Sequence, residues 1–316
     1  MMADRAADLP MGTRGTVQNV LRPSAVPIEG SHHDHDRLLE KIGNARFVLL
    51  GEATHGSEEH YRERARITQR LLQEKGFDAL AIEGDWPDVH RLHRWVRGVP
   101  GDVTADDALR SFSRFPQWMW RNSQMLEFSR WLRRHNAIVE HLDHALGGAS
   151  RIVVWAHNSH IGDARATEMG RDGELNVGQL VRERYPRDAF LVGFSTYDGQ
   201  VSAASDWDAP VERKVLRPAL EGSYEHLFHT LGIPSFALLP DAEGHLPEVL
   251  RHERLQRAVG VVYRPETERR SHWFHARLAD ELDAIIHFDR THAVEPLERS
   301  AHWHGPDAPG TFPFAL

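Results

Sequence analysis

The chain has 316 residues, 41% of them hydrophobic and 27% charged, an ordinary balance for a globular protein with a full core. The net charge of -8 comes with both signs mixed along the chain, without the clustered basic face that nucleic acid requires. The absence of cysteine excludes disulfides, a thiol nucleophile and thiolate metal sites. No apolar run approaches the roughly 18–20 residues that span a bilayer, and the opening MMADRAADLPMGTRG lacks a secretory apolar stretch. The expectation is a cytoplasmic protein with no nucleic-acid or membrane partner.

Residues 1–30 read as a loose, flexible lead-in rich in Pro, Gly and Ser, followed by a single α/β domain over 31–316. Arg46–Leu50 is a short apolar run ending at a glycine, hence a buried strand. Ser57–Gln73 follows as a helix with Tyr61, Ala65, Thr68, Leu71 and Leu72 on one face. Asp78–Ile82 is a second strand. Asp85 is placed to cap the next helix, Pro87 suits its first turn and Gly98 its end. Helices are predicted over Ala105–Phe112 and Gln117–His135, the second continuing past a break to Ala145.

Arg151–Ala156 is a third strand, Val177–Tyr185 a helix and Ala189–Phe194 a fourth strand. An extended stretch at Val201–Ala204, a helix near Ser223–Leu231 and a strand at Ser235–Leu239 come next. The last part reads as a helix over Leu246–Ala258, a strand at Val261–Tyr263, a helix over Trp273–Leu282 and a strand at Ala284–Phe288. This alternation predicts a largely parallel sheet covered by helices on both faces.

Three of these strands deliver chemistry at their carboxyl ends, the edge where open α/β sheets bind ligands. The first runs into Gly51-Glu52-Ala53-Thr54-His55-Gly56, the second ends at Glu83, and the third at His157-Asn158-Ser159-His160. If the strands are neighbours, these acids and imidazoles share one crevice. Each part has a plainer reading: Glu52 and His55 as local caps, Glu83 as part of a helix-capping turn, the histidine pair as chance in a chain with 22 histidines. Arg64 shares a helix face with Tyr61, Thr68 and Leu71, and a partly buried arginine needs a carboxylate; Glu52 and Glu83 are the candidates, for catalysis or for a structural ion pair.

There is no G-x-S-x-G elbow, H-E-x-x-H, Walker A loop or dinucleotide-binding G-x-G-x-x-G. A histidine beside two carboxylates, with no nucleophile in evidence, suits general-base activation of water. The same Glu52, His55, His157 and His160 also make a legitimate N/O metal set.

At these residues the chain resembles the erythromycin esterase family. The resemblance rests on VLLGEATHGSEEHYRERARITQRLL (48–72), ALAIEGDW (79–86), FPQWMWRN (115–122), VVWAHNSHIGDARATEMG (153–170), GVVYRPETERRSHWFHARL (260–278) and AVEPLERSAHWH (293–304). It implies a three-layer α/β/α core with helical additions, similar to haem-binding ChaN-like proteins. It also implies an ester or lactone hydrolase that uses no metal or other cofactor, as the macrolide-hydrolysing members do.

Carried over residue by residue, the resemblance puts the general base on His55, its acidic partners on Glu52 and Glu83, the active-site arginine on Arg64 and the later histidine pair on His157 and His160. Arg64 and that pair are then expected to stabilise the oxyanion. Trp86, Trp118, Trp120 and His272 are candidates for the wall that binds a small-molecule ester or lactone, with core packing the plainer role for the tryptophans. One departure stands out: most of the family's long helical segment between the WMWRN helix and the WAHN strand is missing here. The alternatives are a metal- or haem-type ligand-binding protein using the same cleft, or an inactive member.

Overall fold

Short runs of Val, Leu, Ile and Phe that are apolar on both faces pack as central strands with helices above and below. The computed structural model of the protein describes residues 17–102, 104–139, 150–299 and 303. Its strands are β1 (Ala25–Pro27), β2 (Phe47–Leu50), β3 (Ala79–Ile82), β4 (Ile152–Trp155), β5 (Ala189–Ala204), β6 (Val211–Leu216), β7 (Ser235–Leu238), β8 (Arg254–Arg257), β9 (Trp273–Ala276) and β10 (Ala284–Thr291). The main sheet has eight strands in the order β1-β7-β10-β5-β2-β4-β3, with β6 paired to β5. Strands β10, β5, β2, β4 and β3 are parallel. Strands β1 and β7 add an antiparallel edge, and β8 and β9 form a separate hairpin sheet.

Side chains alternate across this sheet, so each strand contributes to two cores. Val48, Leu50, Val153, Trp155, Val192 and Ile286 face one core, closed by helices Asp36–Ile42, Glu58–Glu74, Trp86–Val96 and Ser123–Val139. Leu49, Val154, Leu191 and Ile285 face the other, under Val177–Arg184, Tyr224–His229 and Leu278–Glu281. The expected three-layer α/β/α architecture is what forms. No helix among the described residues is long and apolar enough to cross a membrane.

Several local expectations are corrected. Of the loose lead-in, residues 1–16 lie outside the described residues, but Val17 and Leu21 are buried and β1 pairs with β7, so this stretch is held by the sheet edge. Asp85 occupies the N-cap position of Trp86–Val96, yet its side chain caps no amide and meets Arg114 at 3.1 Å. Leu246–Ala258 is not a helix but a 3-10 turn (Glu248–Arg251) followed by β8, and Trp273–Leu282 splits into β9 and the short helix Leu278–Glu281. Val261–Tyr263 makes only an isolated bridge, between Val262 and Ala204. The continuation of the Ser123–Val139 helix to Ala145 lies outside the described residues.

Candidate active site

Strand order puts β2, β4 and β3 side by side, so the three chemistry-bearing strand ends become neighbours. The turn after β2 needs its glycines for close approach. A Cβ on Gly51 would meet Asn158 Oδ1 at 2.1 Å, and one on Gly56 would meet the Ser202 carbonyl at 2.0 Å. Asn158 uses that space to lock the β4 loop to β5: its Nδ2 donates to the Phe194 carbonyl at 2.6 Å and its Oδ1 accepts from Phe194 N at 3.1 Å. Sequence reading passed over Asn158, although it stands between the two histidines singled out.

Glu52 is fully buried. Its Oε1 lies 2.8 Å from His55 Nδ1 and its Oε2 lies 2.6 Å from Arg64 Nη2. Burial opposes ionisation of this carboxyl, but the Arg64 charge and the His55 hydrogen bond win and hold it below the usual carboxylate range. Tyr61 fixes the main chain of the same turn, its hydroxyl donating to the His55 carbonyl at 2.8 Å. Between sequence-named partners, the structure pairs Arg64 with Glu52. Arg64 is sealed from solvent, its guanidinium carbon 4.7 Å from the Tyr61 ring and 4.9 Å from that of Trp155. It anchors Glu52 through Oε2, while His55 takes Oε1.

Glu83 ties the β3 and β4 ends together. Its Oε2 accepts from the His157 amide at 3.0 Å, and its Oε1 is 3.3 Å from His160 Nε2. Burial opposes its ionisation, but the hydrogen bond with His160, electrostatic attraction to the nearby imidazoles and the His157 amide bring its carboxyl down to about 2. In return the Glu83 hydrogen bond raises His160 above the ordinary histidine value.

His157 differs from both neighbouring histidines. Its Nδ1 accepts from the Ser159 amide at 3.3 Å and lies 2.9 Å from Ser159 Oγ. Burial first, and then repulsion from the adjacent His55 ring when that ring is protonated, push it down to about 3, so the ring is neutral. An Nδ1 that accepts from an amide leaves the single proton on Nε2. That Nε2 is buried and has no hydrogen-bond partner. Its ring centroid is 4.9 Å from that of His55.

The other named residues stand back from this centre. Trp120 is buried and donates its indole N–H to the Glu83 carbonyl at 3.0 Å, supporting the main chain at that acid. Trp118 is in the core. Trp86 is 75% exposed and stacks on His90, at the surface just beyond Glu83. The His272 ring nitrogens are taken up by Ser271 Oγ at 2.7 Å and the Val262 carbonyl at 3.1 Å. Among the described residues, no three His, Asp or Glu side chains converge so as to hold a metal ion.

A sequence model of the erythromycin esterase family matches residues 72–145 and 137–291. The chain belongs to the erythromycin esterase family. The two matched pieces overlap at residues 137–145. YbfO of Bacillus subtilis (strain 168), whose name assigns it provisionally to the hydrolases, is 36% identical over 69 residues. That match covers 21% of this chain and only 16% of YbfO.

Among solved structures, a Bacillus cereus protein superposes with a TM-score of 0.73 at 16% identity, over 90% of this chain and 99% of the other. A succinoglycan biosynthesis protein gives 0.71 at 15%, over 91% and 100%. A mutant of the erythromycin esterase EreC in its open conformation gives 0.52 at 14%, over 89% and 98%. At such identities these three show the shared fold. Membership of the family points toward hydrolysis.

Proposed function

We propose that this erythromycin esterase family member hydrolyses an ester or lactone by activating water on His55, without a metal. One observation carries the reading: the His55 and His157 imidazoles lie 4.9 Å apart, and their Nδ1 atoms are engaged in opposite senses, one beside a carboxylate and one beside an amide. His55 donates its Nδ1–H in a hydrogen bond to the Glu52 carboxylate, so its Nε2 lone pair is free to take a proton. His157 uses its Nδ1 lone pair on the Ser159 amide, so its Nε2 proton is free to donate. A base and a neutral donor stand side by side.

In the proposed reaction a water oxygen attacks the carbonyl carbon as its proton passes to His55 Nε2. The carbonyl π pair moves onto oxygen, and the oxyanion is met by the His157 N–H, a contact that contributes about 3–4 kcal/mol when well placed. Collapse expels the alkoxide, which takes a proton from His160, held toward its charged form by Glu83. His55 then returns its proton through solvent to His160, leaving acid, alcohol and the starting enzyme.

The tautomers also argue against the metal-binding alternative. The protonated Nε2 of His157 has no lone pair to offer, and Glu52 is committed to His55 and Arg64. The test is elemental analysis of protein purified without a histidine tag, then turnover of erythromycin and of 4-nitrophenyl esters with and without EDTA. Turnover should survive chelation, and His55→Asn should lower kcat about 10²–10⁴-fold with the fold intact. Near-stoichiometric zinc, manganese or iron whose removal stops turnover would overturn the reading.

A further inference from the structure

His60 was not among the residues that the sequence reading singled out. It lies one helical turn before Arg64 on Glu58–Glu74, so the two share a face turned toward the sheet. It is fully buried, with the Phe194 ring 5.3 Å away and the Phe288 ring 6.5 Å away. Neither of its ring nitrogens has a hydrogen-bond partner of normal geometry, nor do Nε and Nη1 of Arg64, whose other neighbours are the Glu52 carboxylate at Nη2 and the Tyr61 hydroxyl. Burial, partly offset by the Glu52 charge, lowers His60 to about 4, which keeps the ring neutral. The Thr54 carbonyl is near enough to favour protonation but makes no hydrogen bond of normal geometry.

Buried polar groups in folded proteins are almost always satisfied by protein or by ordered water, and each one left bare costs about 1–3 kcal/mol. Here four such nitrogens, on two side chains of one helix face, lie in the electrostatic field of the same carboxylate. A neutral imidazole has one donor and one acceptor, and the guanidinium has only donors. Water, which donates and accepts, is the small ligand that can bridge them, and it needs two to four polar partners to stay.

We infer that His60, Arg64 and Glu52 enclose an internal water site, and that His60 is a positioning residue that steadies Glu52 through this water. The inference rests on the proposed role of Glu52 as the partner of His55. The bridge supplies Glu52 with a donor on the side away from His55. The carboxylate is then fixed from both sides, and the Nδ1–H of His55 has one direction in which to point. His60 does not touch the reacting atoms and acts through Glu52.

A crystal structure of the full chain that resolves ordered solvent should show a water within hydrogen-bond reach of a His60 ring nitrogen and of Arg64 or Glu52. A dry contact there overturns the inference. The far-downfield proton spectrum gives a second reading, because the His55 Nδ1 proton shared with Glu52 reports how that carboxylate is held. His60→Phe, whose ring suits a site beside Phe194 and Phe288, should move this resonance, and an unmoved resonance sinks the positioning role. If His60→Phe does not fold, His60→Gln, which keeps a donor and an acceptor, should hold the resonance near its original place; a large displacement counts against the water bridge.

With a 4-nitrophenyl ester, His60→Phe should lower kcat about 10-fold with KM little changed, the scale at which supporting partners of functional ligands act. Wild-type kcat in that variant overturns the proposal. The solvent and proton measurements need no substrate. A chain that hydrolyses nothing would therefore defeat the hydrolase reading while leaving the water site to be judged separately.

Discussion

Glu52–His55 and Glu83–His160 are the same pair of residue types at adjoining strand ends, and the fold treats them in opposite ways. In the first pair the carboxylate is sealed and the His55 side chain is only 9% exposed, with Arg64 and Tyr61 fixing the turn. In the second the side chains are 51% exposed at His160 and 32% at Glu83. A sealed pair has a fixed tautomer and keeps water away from its proton, which suits a base that must always face one way. An open pair exchanges protons with solvent, which suits an acid that must be recharged after each turnover. On the proposed function, equal chemistry at neighbouring positions would be divided into two tasks by burial.

The largest expected difference between the regions is in stability. Arg64→Met leaves Glu52 as an uncompensated buried charge, and breaking such a pair from one side costs about 3–5 kcal/mol. Urea unfolding should show that loss, and adding Glu52→Gln should recover part of it, giving a clear coupling energy in a double-mutant cycle. Glu83→Gln combined with Arg64→Met should show none. If Arg64 coupled to Glu83 instead, or to neither, the account of the sealed half would fail.

The two halves were also unequally legible in the sequence. The strand ends could be read because the three apolar runs stop at Gly51, Glu83 and His157, and the helix-face position of Arg64 limited its partner to two carboxylates. Which of the two it chose was not readable, because that depends on the depth of Glu52 below the sheet edge. Nor was the task of His157, since the amide that fixes its tautomer comes from Ser159 through loop geometry. His60 stood four residues before Arg64, and only burial shows that it is bare.

Elsewhere, β8 falls within a stretch read as a helix, where Leu246, Val249, Leu250 and Leu255 mimic helical spacing. What makes Arg254–Arg257 a strand is long-range: Arg257 pairs with Glu268 at 3.0 Å and lies 4.8 Å from the Trp273 ring. Local pattern cannot show a partner so far along the chain.

Acid should separate the halves by a smaller margin. His157 at about 3 and His60 at about 4 are held below the unfolded histidine value of about 6.5. The unfolded chain therefore binds protons at these two positions that the folded chain refuses, and stability is lost as pH falls from about 6.5 toward 4. Each buried histidine contributes a slope of about 1.4 kcal/mol per pH unit, to order of magnitude. Glu83, depressed to about 2, gives stability that is complete above its ordinary value of 4.5 and is lost only as pH drops toward 2. Unfolding free energies at several pH values from 7 to 4 should decline with the sealed half first, and His60→Phe should flatten the decline by one histidine's share. A curve that stays level until pH 4.5, or is unchanged in His60→Phe, would mean these rings are not held neutral by burial.

The smallest stability effect and the sharpest chemical one belong to the open pair. His160→Gln removes a solvent-exposed partner, and exposed ion pairs contribute only about 0–1 kcal/mol, so the unfolding midpoint should hardly move. Turnover should respond according to the leaving group. An alkyl ester or a lactone expels a strongly basic alkoxide that needs a proton as it departs, so losing the acid should lower kcat about 10²-fold or more. A 4-nitrophenyl ester expels a stable anion that needs none, and its kcat should stay within a few-fold of the original.

The pH profile follows the same logic. Glu83 raises His160, so the charged form persists above the ordinary histidine value and is lost as pH rises through the folded one. Wild-type turnover of the alkyl ester should show that alkaline decline, the 4-nitrophenyl ester should not, and His160→Gln should abolish it. Equal losses on both esters would assign His160 to the carbonyl side of the reaction and remove the division of labour between the two pairs.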